Sequence, residues 1–196
     1  MQKYAAPGAV AVALIMVAYL AFQSPDVATT TSSGGGSGGA SGDQVDVTLH
    51  VMSQCPYGVK AVDAFTPIAR KVGERMKLTL EYIGRDQNGE LTSMHGQSEV
   101  DGNKIQLCVG EHASYANWLD FLDCQNETWR QIPEGWERCA RQHDVDVDAV
   151  RGCVDGEQGT QLLRASYERS TKAGARGSPT IMIAGTKHTG GRTEQA

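Results

Sequence analysis

Apolar Val45, Val47, Leu49 and Val51 alternate with Asp46, Thr48 and His50, and this period of two predicts a strand over residues 45–52. After Ser53-Gln54-Cys55 the spacing changes to threes and fours. Val59, Val62, Phe65, Ile68, Ala69, Val72 and Met76 mark one face of a helix, with Pro56 in its permissive first turn. Thr66-Pro67 predicts a kink in it. LTLEYI over 78–83 reads as a second strand. Strand, helix and strand in this order form a right-handed crossover between parallel neighbours, which sets Cys55 at the carboxyl end of the first strand. From about 95 to 176 the pattern is helical and interrupted, with short helices at 105–109, 115–124, 136–142, 147–153 and 161–171. Gly177-Ser178-Pro179 then leads into a strand over 180–184, and Gly185 turns the chain into another over 187–189. The fold class is therefore α/β, a sheet interrupted by an all-helical insertion.

Ahead of this pattern the chain has a different character. Residues 4–25 carry no charge, and AVAVALIMVAYLAF follows a single Lys3, a length that crosses a bilayer when its flanks are included. Residues 1–23 are expected to be an uncleaved N-terminal signal anchor, a transmembrane helix meeting the membrane through residues 5–22. A cleaved signal, giving a secreted protein, is the weaker alternative because no clean small-x-small site follows. No cysteine lies near the segment, so a lipoprotein anchor is excluded. Residues 24–43, with TTTSSGGGSGGASG, cannot bury apolar surface and read as a flexible linker of about 25 Å. The folded unit is then 44–196, on the extracytoplasmic side, in a periplasm or, in a eukaryote, a lysosomal or secretory lumen. The whole chain of 196 residues leaves room for one ordinary domain. With 18 Lys+Arg against 23 Asp+Glu the net charge is -5, which argues against a broad basic face and hence against nucleic acid as a partner.

Cysteine supplies the candidate chemistry. In an oxidising compartment five cysteines leave one odd thiol, and Cys55 at a helix N-terminus is the candidate, since unpaired N–H groups and the positive end of the dipole favour the nucleophilic thiolate. The other four allow three connectivities. Cys124 and Cys139 lie at facing ends of one helical hairpin, and Cys108 and Cys153 open and close the outer pair, so nested pairing of Cys108 with Cys153 and Cys124 with Cys139 is expected. No C-x-x-C, H-x-x-x-H or C-x-x-H pair is present, so no metal site is expected. His50 and His188 read as ordinary strand histidines, and Asn126-Glu127-Thr128 is a glycosylation sequon of the kind that often arises by chance.

A strand ending in Cys55-Pro56-Tyr57-Gly58 at a helix tip, with Ser178-Pro179-Thr180 opening a later strand, resembles the thioredoxin-fold oxidoreductases of DsbA-like type. In that superfamily such a proline has a cis peptide bond and faces the active-site sulfur. The resemblance implies a catalytic Cys55 and a substrate-binding set of Pro56, Tyr57, Ser178, Pro179 and Thr180. Residues 95–108 are similar to the signature C-Q-H-G-x-x-E-C-x-x-N-x-x-x-x-C of the gamma-interferon-inducible lysosomal thiol reductase family. His95, Gly96, Glu99, Asn103 and Cys108 match in register, while Ser93 and Val100 replace two signature cysteines. Gly58 stands where a second active-site cysteine would complete C-x-x-C.

The resemblance implies a thiol-disulfide oxidoreductase of thioredoxin-like fold that acts on disulfide-containing proteins or peptides and needs no cofactor. With one thiol it can form a mixed disulfide but cannot expel the substrate by internal attack, so a small thiol such as glutathione is expected as co-substrate. A thioredoxin-like domain usually places a further helix after its last strand. Residues 190–196 could only begin one, and a fragment is expected. The rival reading is a non-catalytic peptide-binding module, favoured by Gly58 and disfavoured by Cys55.

Overall fold

A computed structural model of the protein describes residues 44–189. The expected anchor, linker and C-terminal segment (1–23, 24–43 and 190–196) lie outside the described residues. No helix among those described is long and apolar enough to cross a membrane.

The chain runs β1 (Val45–Val51), α1 (Pro56–Val72), β2 (Met76–Tyr82), β3 (Arg85–Gln87), β4 (Glu90–Thr92), α2 (Gln97–His112), α3 (Tyr115–Asn126), α4 (Trp136–Gln142), α5 (Val147–Asp155), α6 (Glu157–Lys172), β5 (Thr180–Ile183) and β6 (Thr186–Lys187). The main sheet has the order β2-β1-β5-β6, with β1 parallel to β2 and β5 antiparallel to both its neighbours. Val47, Leu49 and Val51 face Leu78, Leu80 and Tyr82 in register. These six are buried in one core with Val62 and Ala69 of α1.

Several elements depart from the pattern read in the sequence: the α1 face reads on to Met76, but the helix ends at Val72 and Met76 opens β2, and α6 begins at Glu157 rather than at 161. α2 begins at Gln97 rather than at 105, because the buried face of its first two turns is Glu99, Val100, Gly102 and Asn103, too polar to register as an apolar stripe. β3 and β4 form a separate two-stranded hairpin that alternation did not reveal, because its strands are short and largely exposed. Its turn is Asn88-Gly89, with φ of 58° and 94° respectively, the left-handed backbone that a primed two-residue turn requires and that these residues tolerate. α1 runs on through Pro67, whose ring nitrogen has no hydrogen to donate to the carbonyl of Asp63.

The opposite face of the sheet carries a buried polar layer under α6. Nδ1 of His50 lies 2.9 Å from Ser170 Oγ, and Glu81, its partner across the β1–β2 pair, accepts from Ser166 Oγ at 2.6 Å and from Arg169 Nε. The Ser166 hydroxyl also accepts from Tyr82 N at 2.7 Å. Burial pushes the His50 imidazole below its ordinary value, against the smaller opposing pull of Glu81. Disulfides Cys108–Cys153 and Cys124–Cys139 fasten α2 to α5 and α3 to α4. The sequon asparagine, Asn126, is buried, and its Nδ2 donates to Asp63 Oδ1 at 2.7 Å, so its amide is not presented to a glycosylating enzyme.

Two outcomes are expected from this architecture. The Cys108–Cys153 and Cys124–Cys139 bridges join positions 45 and 15 apart. In the loop-entropy picture, removing the first as a Cys108→Ala, Cys153→Ala pair costs about 4 kcal/mol and removing the second about 3 kcal/mol. Urea unfolding of the two double variants tests this, and a reversed order would contradict it. Secondly, the unfolded chain protonates His50 near its ordinary value of about 6.5 while the fold resists doing so. Stability from this site is complete above that pH and is lost as pH falls through the lowered folded value. His50→Gln should flatten the decline of the urea midpoint between about pH 7 and pH 5, and an unchanged slope would remove His50 as its source.

Candidate active site

Cys55 caps α1. Its backbone is extended (φ -82°, ψ 120°), its carbonyl accepts from Val59 N at 2.9 Å, and Pro56 follows at the first helical position, where no N–H is required. Cys55 is 7% exposed and is the free cysteine, while Tyr57 beside it is 66% exposed. Sγ of Cys55 donates to the Ser178 carbonyl at 3.6 Å, and the Ser178–Pro179 peptide is cis. Cys55, Pro56, Tyr57, Ser178 and Pro179 thus meet at one end of the sheet. Thr180 follows Pro179 at the start of β5. It is buried, paired with His50 in the sheet register, and its hydroxyl donates to Gly177 O at 2.8 Å, so it shapes the turn before Pro179 from within.

The turn from β1 into Cys55 has three consecutive N–H groups to satisfy, and each has a partner. Ser53 N donates to Asn103 Oδ1 at 3.0 Å, Gln54 N to Glu99 Oε2 at 3.1 Å, and Cys55 N to Met52 O at 3.0 Å. Glu99 is wholly buried, and its carboxylate also receives Ser93 Oγ at 2.6 Å and His95 N at 3.2 Å, with His95 Nδ1 2.6 Å away. Four of the residues matched in the 95–108 signature therefore have a physical task here. Glu99 and Asn103 hold the turn, His95 caps the carboxylate, and Cys108 anchors α2. The sequence reading found these positions by resemblance and gave the first three no role in the site. Their signal was polar residues at helical spacing, packed in the fold against the turn that carries Cys55.

The departures from the signature are also accommodated. Ser93 hydrogen-bonds to Glu99, and its hydroxyl lies 3.2 Å from Ile83 O. Val100 is buried in the core. Gly58 faces the Ser178 side chain, and a Cβ built there would meet Ser178 Oγ at 2.3 Å. That hydroxyl accepts from Met52 N at 3.0 Å, so the space of a second thiol's stem is filled by a hydrogen-bonded serine. Gly102 allows a similar approach on α2, where a Cβ would meet Ile132 Cγ2 at 2.2 Å and Ser53 Oγ at 2.8 Å. Among the described residues no group of three or more His, Cys, Asp or Glu side chains is arranged to hold a metal ion.

Comparison with known proteins agrees with this geometry. The family model "Gamma interferon inducible lysosomal thiol reductase (GILT)" matches residues 46–143. GILT-like protein 2 of Drosophila melanogaster is 25% identical over 151 residues, covering 74% of this chain and 72% of that protein. A gamma-interferon-inducible lysosomal thiol reductase-like protein of Anopheles gambiae is 24% identical over 150 residues, covering 66% of this chain and 62% of that protein. Oxidised BdbD from Bacillus subtilis superposes with a TM-score of 0.58 at 12% identity, covering 80% of this chain and 85% of that one. MdbA, a thiol-disulfide oxidoreductase from Corynebacterium diphtheriae, also gives 0.58, at 13% identity over 77% and 80%. At such identities the structural likeness speaks for the fold, which is thioredoxin-like. The match over 46–143, together with a free cysteine at the tip of α1 held in place by the signature's own glutamate and asparagine, shows that the chain belongs to the gamma interferon inducible lysosomal thiol reductase family of thiol-disulfide oxidoreductases.

Proposed function

We propose that the chain is a membrane-tethered, extracytoplasmic thiol reductase in which Cys55 is the single nucleophile and an external thiol completes each cycle. The observation that carries the reading is the arrangement at the tip of α1. Cys55 is unpaired beside the Ser178 carbonyl, the other four cysteines are bonded to one another, and position 58 is a glycine closed over by Ser178. Two buried disulfides support an oxidising compartment, and the apolar stretch 5–22 supplies the tether. No prosthetic group is needed, because thiolate exchange carries the electrons itself.

In this mechanism the Cys55 thiolate attacks one sulfur of a substrate disulfide. A bond forms between Cys55 and that sulfur, the substrate S–S bond breaks, and the departing sulfur takes up a proton. Pro56 and exposed Tyr57 border the substrate on one side, and Ser178 and Pro179 on the other. A small thiol such as glutathione then attacks Cys55 Sγ and releases the second substrate sulfur as a thiol. A second molecule attacks the sulfur of the first, which frees Cys55 and leaves the small thiol as its own disulfide. Two electrons pass from two small thiols to one substrate disulfide.

The decisive experiment follows insulin reduction and trapped adducts side by side. Wild type should form a long-lived Cys55-linked mixed disulfide and turn over only when the small thiol is supplied, and Cys55→Ser should do neither. Because Ser178 obstructs position 58, the internal thiol is best restored as Gly58→Cys with Ser178→Ala. That pair should shorten the adduct's lifetime by about tenfold or more, since its second sulfur acts at high effective concentration. If wild type forms no adduct with any disulfide while Cys55→Ser binds peptide normally, the domain is a binding module instead. The buttress has its own signature. Glu99→Gln, which weakens charge-assisted bonds to a buried carboxylate, should cost about 1.5–3 kcal/mol and slow Cys55 alkylation, whereas Glu90→Gln on the exposed hairpin should do neither.

A further inference from the structure

Beside the catalytic turn lies a cavity of about 810 Å³ whose apolar side includes Met52, Ile83 and Met94. Met52 ties it to the site directly, since its carbonyl accepts from Cys55 N and its N–H donates to Ser178 Oγ. Arg85, at the start of β3, and Arg176, in the segment leading to Pro179, line the same space. Arg176 also lines a second cavity of about 250 Å³ that runs along Ser178, Pro179 and Thr180, so this residue borders both spaces. Both arginines are exposed, and neither has a side-chain partner among the described residues.

No acidic side chain lines the larger cavity. Asp86, between Arg85 and Gln87, is turned to Arg164 and to Gly89 N. Glu99 lies beneath Ser93 with its oxygens already occupied by Ser93, His95 and Gln54. In a chain of net charge -5, the space next to the nucleophile is therefore locally cationic. Two guanidiniums with free donors and an apolar wall of methionine suit a carboxylate carried on a short peptide stem.

Building on the proposed role of Cys55, we infer that the cavity beside Met52 receives a carboxylate lying within a residue or two of the reacting sulfur, held by Arg85 and Arg176. The carboxylate has two sources, a small peptide thiol of the glutathione type or an acidic residue flanking a cystine in a protein substrate. Both would bring the sulfur to Cys55 along the Arg176–Ser178 segment.

The test measures the second-order rate of mixed-disulfide formation at Cys55, in the full chain and in an Arg85→Gln, Arg176→Gln variant. The probes are oxidised glutathione (anionic), hydroxyethyl disulfide (neutral), cystamine (cationic), and two cystine peptides alike except for flanking Glu or Lys. Comparing variant with wild type on each probe cancels the intrinsic reactivity of the disulfides. The ratio for anionic probes should fall about fivefold to tenfold below that for the neutral one at low salt, and the gap should close in about 0.5 M salt. A gap on oxidised glutathione alone assigns the small thiol, and a gap on the Glu-flanked peptide assigns the protein substrate. Equal ratios across all probes overturn the assignment while leaving Cys55 as nucleophile. Failure of wild type to react even with the neutral disulfide overturns the Cys55 reading and this one with it.

Discussion

A carboxylate with no access to water must be matched by donors from the protein, or its burial is prohibitively unfavourable. Glu99 is such a group, and its donors are drawn from two places: the turn before Cys55, through Gln54 N, and the segment between β4 and α2, through Ser93 and His95. Satisfying one charge therefore fixes where β1 ends, where α2 begins and how the two approach. Asn103, one turn further along α2, repeats the device with a neutral amide on the next N–H of the same turn. Cys55 inherits its position from these bonds, and the helix tip it occupies is set from α2, an element more than forty residues away in sequence.

The same economy of space appears on the other side of the thiol. At position 58 the chain has no side chain, and the volume is taken by a serine hydroxyl that is itself needed by Met52 N. Substituting one residue there forces a second to move, so the single-thiol arrangement is built into the packing of the Pro179 turn as well as into the sequence. Glycine at 102 plays the complementary part, letting α2 come close enough for Ser53 to lie against it.

Much of the frame could be read in the sequence because its physics is local. Strict alternation in β1 and the threes and fours of α1 are signals of one buried face, and both elements begin where the pattern sets them, although α1 stops at Val72 and the apolar Met76 read as its last position opens β2 instead. The start of α2 was hidden because its buried face is polar, which is also why it matters to the site. The β3–β4 hairpin was hidden because its strands bury little, although Asn88-Gly89 was in plain view as a turn. The task of Glu99 was out of reach of periodicity altogether. It depends on tertiary contact with Gln54 and Ser93, and a glutamate at helical spacing looks the same whether it meets water or a turn.

A protein whose reactive group cleaves disulfides must not be its own substrate. Cys108, Cys139 and Cys153 are 0%, 1% and 2% exposed, and Cys124 is 7% exposed with Gln142 and Arg138 against its sulfur. An attacking thiolate has to approach in line with the S–S bond it breaks; burial of both sulfurs hinders this at Cys108–Cys153, whereas Cys124 borders a cavity with Arg138 and Gln142. Burial therefore gives the Cys108–Cys153 bridge chemical immunity from reductants dissolved around it, while the Cys124–Cys139 bridge relies more on the side chains packed against Cys124. Partial unfolding would expose the bridges and remove that immunity. The integrity of the scaffold and its resistance to reduction are thus one property, lost together.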